Sequence, residues 1–532
     1  MNYLDYLIVF GYLAAMLGFG YALRKQSNEN DYFLGGNSLG WAPLTLSTMA
    51  TQLSAISFIS APGFVGLREG GGLKWLTYEL AVPLAMILVA FVIIPPLYRS
   101  GVVSIYEFLE RRFDRTTRFY ISVSFQVVRS FSTGIMVYAT GIIIESVLGV
   151  PFWQSILIIC VITIIYSLQG GMKAVVYGDA IQMILIILGL ILCVFYSVQA
   201  LGGVESFLSG IDKERLVAVD FGSMGFNGDE FGFLPMLFGG FVLYASYYGC
   251  DQTQAQRALS ARSLNDIKKI LIANGLLRFP ITILYCFAGL SVGVLALSSP
   301  EFLSKIPEGK PDFMMPVFII EYLPNGLIGL LLVAILAAAM STLSSTINSL
   351  SAVSIEDAQR LGLLKKGGNS EVLASRVIAL FWGVLTLTLS IFAGNIAPTV
   401  IEAINKVGSA LYGPILGVFL FAILTKKVSS LSINIGLTAG LVVNLIFWLA
   451  VKNVFWMWWN VIGFAVMCVA TYLVHIVVSG RENFSEVSLE SMQDAVKSKE
   501  FFVGKDILTS SAVLVLFFAI ILSISIVIEN IV

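Results

Sequence analysis

Residues 331–346 read Leu331-Leu332-Val333-Ala334-Ile335-Leu336-Ala337-Ala338-Ala339-Met340-Ser341-Thr342-Leu343-Ser344-Ser345-Thr346, an apolar run that turns abruptly into hydroxyls without meeting a charge. The uncharged stretch around it, from about 325 to 354, exceeds the roughly 20 residues a helix needs to cross about 30 Å of hydrocarbon. Similar runs recur along the whole chain. Of the residues, 57% are hydrophobic and 12% charged, whereas a soluble chain carries about 25% charge. The chain therefore reads as an all-α polytopic membrane protein. Apolar windows and polar breaks predict fourteen transmembrane helices near 3–23, 41–66, 75–98, 119–148, 153–168, 174–202, 230–250, 268–298, 325–360, 371–393, 397–424, 430–451, 456–479 and 505–531. Membrane lipid is the implied solvent.

Lysine and arginine distribution sets the expected orientation, because cytoplasmic loops are enriched in both. Arg99, Arg111, Arg112, Arg115, Arg118, Arg257, Arg262, Lys268, Lys269, Arg360, Lys365, Lys366, Arg481, Lys497 and Lys499 fall in alternate loops, which places those loops inside and both termini outside. The first run, Tyr3 to Leu23, has no basic leader and no small-residue cleavage site, so it reads as a retained membrane helix. A net charge of −1 argues against a nucleic-acid partner, which would demand clustered cations. Five cysteines lack metal-ligand spacing and read as small hydrophobes. The single histidine, His475, argues against a His-cluster zinc site or a Ser-His triad, and no phosphate loop is present, so an enzyme is not expected.

Polar groups inside hydrocarbon are costly and mark candidate sites. The run Ala50-Thr51-Gln52-Leu53-Ser54-Ala55-Ile56-Ser57 is followed by Pro62-Gly63, where a helix break would free carbonyls suited to Na⁺. Close packing of a Ser/Thr-rich helix is the competing reading. In 337–345, Ser341, Ser344 and Ser345 share one helical face and Thr342 turns to its flank; neutral hydroxyls suit a monovalent cation, and tight helix packing is again the alternative. Asp179, one to two turns into span six, needs a sodium ion or a cluster of hydroxyls unless it only complements a helix start. Glu79, Arg129, Glu145, Arg278 and Lys406 are the other ionisable residues at membrane depth. Arg129 lies one turn before Ser132, placed to meet a carboxylate or polar substrate, or to form a structural ion pair.

Together these residues resemble the sodium:solute symporter family. The segment Asp31-Tyr32-Phe33-Leu34-Gly35-Gly36-Asn37-Ser38-Leu39-Gly40-Trp41 is similar to its opening, Tyr166-Ser167-Leu168-Gln169-Gly170-Gly171-Met172-Lys173-Ala174 to its signature, and Gln252 to Arg257 with Ala258-Leu259-Ser260-Ala261 to its Gln-Arg loop. The resemblance implies a leucine-transporter fold: an N-terminal extra helix and loop over 1–40, a first five-helix repeat over 41–202, an extracellular loop over 203–229, an inverted second repeat over 230–424, and C-terminal extra helices over 425–532. It places Pro62-Gly63 and Gly239-Gly240 at the helix breaks. It further implies a shared sodium site at the carbonyls of Ala50, Leu53 and Ala338 with the hydroxyls of Ser341 and Thr342, and a second at Asp179, Ser341, Ser344 and Ser345.

Two Na⁺ ions are therefore expected, together with a small-molecule substrate and no obligate protein partner. Substrate positions carried over are Gln52, Ser54, Ser57, Glu79, Arg129, Ser132, Tyr244, Arg278 and Asn405, with Tyr247 as inner gate. Ser57, Ser132, Tyr244 and Asn405 depart from the galactose pattern, while Gln52, Ser54 and Ser57 beside Arg129 look closer to sialic acid transporters. The expectation is a sodium symporter in the cell membrane that imports an acidic sugar by alternating access, the alternatives being a neutral sugar or a monocarboxylate. A channel or transporter-like sensor is the competing class.

Overall fold

A computed structural model describes residues 2–26, 29–364, 369–392, 399–478 and 504–529. Lys365, Lys366, Arg481, Lys497 and Lys499, and nearly all of the connection 480–504, lie outside these described residues, so the charge pattern is not fully placed by the structure.

The described elements are helical. In chain order the principal ones are α1 (Tyr3–Ala22), α2 (Trp41–Gln52), α3 (Ala55–Gly66), α4 (Trp75–Arg99), α5 (Arg115–Leu148), α6 (Phe152–Ala200), α7 (Gly240–Cys250), α8 (Gln252–Leu259) and α9 (Leu264–Ser298). They are followed by α10 (Met314–Tyr322), α11 (Leu327–Arg360), α12 (Asn369–Ile391), α13 (Val400–Ser409), α14 (Tyr412–Leu424), α15 (Ser430–Ala450), α16 (Met457–Val478) and α17 (Gly504–Ile528). Ten described helices are long and apolar enough to cross a membrane, and twelve spans result if the bent pairs α2–α3 and α13–α14 each count as one. The expected fourteen add Phe152–Ser167, which is shorter, and the helical run 235–250. Length alone does not make those two crossings.

Burial sorts the helices into a centre and a rim. The most apolar window of α11 is 89% buried, against 17% for α16 and 22% for α17. The central helix thus meets protein on every side, and the rim helices turn Leu449, Tyr472, Val477, Leu508 and Leu516 outward, the pattern of helices whose outer face is solvated by lipid. Around α11 lie α6, α5, α12 and α1.

Of four breaks, two depart from the expected places, one falls between the expected spans five and six, and one is new. Span two breaks at Leu53 (φ −83°, ψ 74°), where α2 and α3 meet at 52°, two turns before Pro62-Gly63. Ser54 starts α3 by accepting the Ile56 N–H at 3.3 Å, and such an N-cap favours a new helix at that point. Pro62 and Gly63 sit inside α3. A Cβ on Gly63 would lie 2.6 Å from the Pro311 carbonyl, so this glycine serves close packing and not a break.

The run through Gly239-Gly240 is likewise helical, a π turn over Pro235–Gly239 flowing into α7. The interruption falls instead at Asp251 (φ −99°, ψ 124°), which caps α8 through the Thr253 N–H at 2.8 Å. Gly171 kinks α6 with φ 54° and ψ −153°, a conformation open to glycine alone; it divides spans five and six at the signature motif. The fourth break, unanticipated, is the 42° bend between α13 and α14.

Candidate functional site

The break after Gln52 faces the hydroxyl end of α11. Leu53 donates its N–H to Met49 O at 2.8 Å, and Ser57 donates to Ser54 O at 3.0 Å; the Ala50 and Leu53 carbonyls are outside those two bonds. Thr342 closes the gap from α11, its hydroxyl donating to Thr51 O at 3.2 Å and to Ala338 O at 3.5 Å. Ala50, Leu53, Ala338 and Ser341 are fully buried and Thr342 nearly so. The result is a cluster of neutral oxygens between a broken helix and a straight one, a donor set that fits a hard monovalent cation.

One turn deeper, Asp179 of α6 accepts from Ser341 at 2.6 Å, Ser47 at 2.5 Å and Ser345 at 3.3 Å. It also pairs with Arg257 of α8, Nη2 to Oδ2 at 3.0 Å. Two contacts mark the expected second sodium position. A protein cation already stands against the carboxylate, and Ser344 does not reach it, donating instead to Ser341 O at 3.0 Å.

Above this layer lies a cavity of about 110 Å³. All nine expected substrate residues line it, Gln52, Ser54, Ser57, Glu79, Arg129, Ser132, Tyr244, Arg278 and Asn405, together with Thr342 and Tyr247. Trp75, Tyr78, Met136, Ile401, Ile404 and Tyr412 complete the wall; aromatic and aliphatic residues like these carry no signal that separates a cavity lining from core.

The cavity's charges are already matched in pairs. Arg278 of α9 grips Glu79 of α4 with two bonds, Nε at 2.9 Å and Nη2 at 2.8 Å. Tyr244 donates to the same carboxylate at 2.9 Å and stacks on Tyr78, centroids 4.5 Å apart. Tyr78 donates to Asn405 at 3.1 Å, and Tyr248 to Gln52. Arg278 Nη1 is buried and has no hydrogen-bond partner among the described residues.

Arg129 of α5 lies 2.9 Å from Asp251, its Nε donates to Thr253 at 3.1 Å, and its guanidinium sits 5.0 Å from the Tyr247 ring centroid. Asp251 is thus the acid that stands against Arg129 in this structure, the ion-pair alternative given for it above. Tyr412 donates to the same aspartate at 3.3 Å, and Gln254 donates to the Tyr247 hydroxyl at 3.0 Å. The floor of the cavity is thus a layer of interlocked polar groups through which Tyr247 is held.

A sequence model of the sodium:solute symporter family matches residues 32–440. The chain belongs to that family. Among family relatives, the human sodium/iodide cotransporter is 30% identical over 437 residues, 81% of this chain and 66% of its own length. The bovine sodium-coupled monocarboxylate transporter 2 is 28% identical over 446 residues, 82% of this chain and 70% of its own. The chain thus spans about two thirds of the length of these relatives. In structure it superposes on a Na⁺-coupled sialic acid symporter in a substrate-bound outward-open state with a TM-score of 0.81 at 24% identity, over 90% of this chain and 98% of that one. The all-helical leucine-transporter fold follows, as does a transport rather than an enzymatic role, with sodium-coupled movement of a small solute.

Within this symporter family architecture, two residues essential to the geometry escaped the sequence reading. Asp251 was passed over although Asp251-Gln252-Thr253 is a helix-start pattern. Arg257 was read as a cytoplasmic loop charge, yet it is 1% exposed. The signal was the polar run Gln252-Thr253-Gln254-Ala255-Gln256-Arg257 flanked by apolar spans, too short and too polar to cross a membrane and too rich in hydrogen-bonding groups to be an idle loop.

Proposed function

We propose that this chain imports a small organic anion of the monocarboxylate class together with Na⁺ across the cell membrane by alternating access. Two inverted five-helix repeats over 41–202 and 230–424, fourteen crossings and both termini outside complete this reading. Sodium sits at the carbonyls of Ala50, Leu53 and Ala338 with Ser341 and Thr342.

The observation that carries the solute assignment is Arg278: it lines the cavity, is 5% exposed, and its Nη1 makes no hydrogen bond to any described residue. A buried charged donor left unmatched is expensive, and a carboxylate oxygen is the acceptor that best relieves it. Charge balance points the same way. Glu79 with Arg278 and Asp251 with Arg129 leave the wall neutral, so Na⁺ plus an anion enters without net charge, whereas Na⁺ plus a neutral sugar does not.

Size favours a small anion. A cavity of about 110 Å³ is smaller than the roughly 150 Å³ that holds benzene and far below the ~300–1,000 Å³ of pockets for drug-sized ligands. A three- or four-carbon carboxylate fits that space better than an acidic sugar such as sialic acid. The names of the monocarboxylate and iodide relatives, both anion carriers, agree.

The test is a thermal-shift screen of purified protein against short monocarboxylates, sialic acid, hexoses and iodide, with Na⁺ or choline. Short carboxylates should stabilise only with Na⁺, by about 2.7 kcal/mol at a hundredfold excess over the dissociation constant. Stabilisation by sialic acid or a hexose, with none by short carboxylates, would overturn the assignment.

A further inference from the structure

We propose that Arg257 is a built-in cation that takes the place of a second coupling ion, so that this transporter binds one Na⁺ per chain. The inference rests on the sodium-coupled reading above and adds the number of ions to it.

The argument begins with Asp179, which is fully buried in α6 and requires a positive partner. Arg257 supplies it. Its Nη2 lies 3.0 Å from Asp179 Oδ2, its Nε donates to Ser47 at 2.9 Å, and its Nη1 and Nη2 also donate to Thr253 O and Ser345. Each guanidinium nitrogen is matched, and none is left for solvent. The oxygens that would have held a second ion surround it: Ser345 receives Arg257 Nη2 and itself donates to Asp179. A sodium ion among them would stand beside a fixed positive charge in a fully buried site, and arginine cannot yield by losing its proton.

The tether is as telling as the contact. Arg257 lies in the last turn of α8, whose eight residues are all buried, where a cation also complements the helix dipole. Asp251, which precedes α8, is paired with Arg129. The short helix is therefore fastened at one end by its own acid and at the other by its own base. A diffusible ion at Asp179 would leave and arrive with each cycle; Arg257 leaves only if α8 moves, so the pair joins the carboxylate to the cytoplasmic closure of the cavity rather than to the ion stoichiometry.

The experiment is equilibrium binding of radioactive Na⁺ to the purified full chain, with no solute present, counted per mole of protein. Wild type should bind one ion with a steepness of one, Asp179→Asn should still bind one ion per chain, and Thr342→Ala should weaken it. Arg257→Gln, which empties the position beside Asp179, should raise the count toward two. Two ions per wild-type chain, with one lost in Asp179→Asn, would overturn the proposal, and that count needs no Arg257 variant to fold. Absence of any saturable Na⁺ binding would overturn the sodium reading beneath it. One bound ion with no response to carboxylates would leave this proposal supported and refute only the solute assignment.

Discussion

Replacing Asp251 with asparagine removes one charge from the Arg129 pair while keeping the side chain's shape. Both partners are buried, 7% and 3% exposed, at 2.9 Å. Asparagine can still accept the Thr253 N–H that caps α8, and the Tyr247 ring stays 5.0 Å from the guanidinium, so neither the cap nor the cation–π contact changes the balance. What changes is that Arg129 is left as an uncompensated buried charge, which costs about 3–5 kcal/mol. At 1.4 kcal/mol per factor of ten, the lower figure shifts an equilibrium by about a hundredfold. Chemical denaturation of Asp251→Asn in detergent should read this loss. The double variant Arg129→Gln/Asp251→Asn should recover a large part of it, because contacting residues are not additive. A cost below about 0.5 kcal/mol for the single variant, or an additive cycle, would refute the view that this pair is sealed from water and locks the floor of the cavity.

Thr342→Ala deletes the hydroxyl nearest the α2–α3 break, and the loss of about 1 kcal/mol should raise the Na⁺ concentration for half-maximal uptake roughly fivefold; uptake unaffected by the change, or by choline in place of Na⁺, would remove the site. Arg278→Lys keeps charge but loses the planar fork that holds Glu79, so affinity for a short carboxylate should fall at least about tenfold in a binding assay while Na⁺ binding holds. Asp312, in the turn before α10, has its carboxyl pushed up to about 6 by burial, with Glu402 nearby reinforcing the shift and hydrogen bonds from Ser60 and the Val400 N–H opposing it. Since the folded protein retains that proton above the ordinary value of 3.8, this contribution to stability is full below about pH 4 and is lost as pH rises through about 6. Melting temperature should drop across that window in the wild type and stay level across it in Asp312→Asn.

The helices were legible because apolar length is written directly into a chain that dissolves in lipid, and the cavity wall was legible because polar residues at membrane depth are rare enough to stand out. Glu79, Arg129, Arg278 and Asn405 were each visible for that reason. Their partners were not. Arg129 and Asp251 are far apart in sequence and meet only after α8 has folded back beneath the cavity, so no spacing rule connects them, and the same holds for Asp179 and Arg257. The breaks were misplaced for a different reason. Pro62-Gly63 and Gly239-Gly240 are the residues most able to interrupt a helix, yet here they serve close approach between helices, and the interruptions sit at Leu53 and Asp251 because Ser54 and Asp251 cap the helices that follow.

The complete burial of α8 bears on how the side of the cavity that it closes can open. Gln252 donates to Val103 O and accepts from the Ile105 N–H, and Gln256 donates to Phe33 O and Asn348. A barrier of hydrocarbon would have to be pried apart against surface tension. This one is made of groups that exchange one hydrogen bond for another, so water entering from below can take over each partner in turn at little net cost. A seal of such groups would be tight while dry and would yield by wetting.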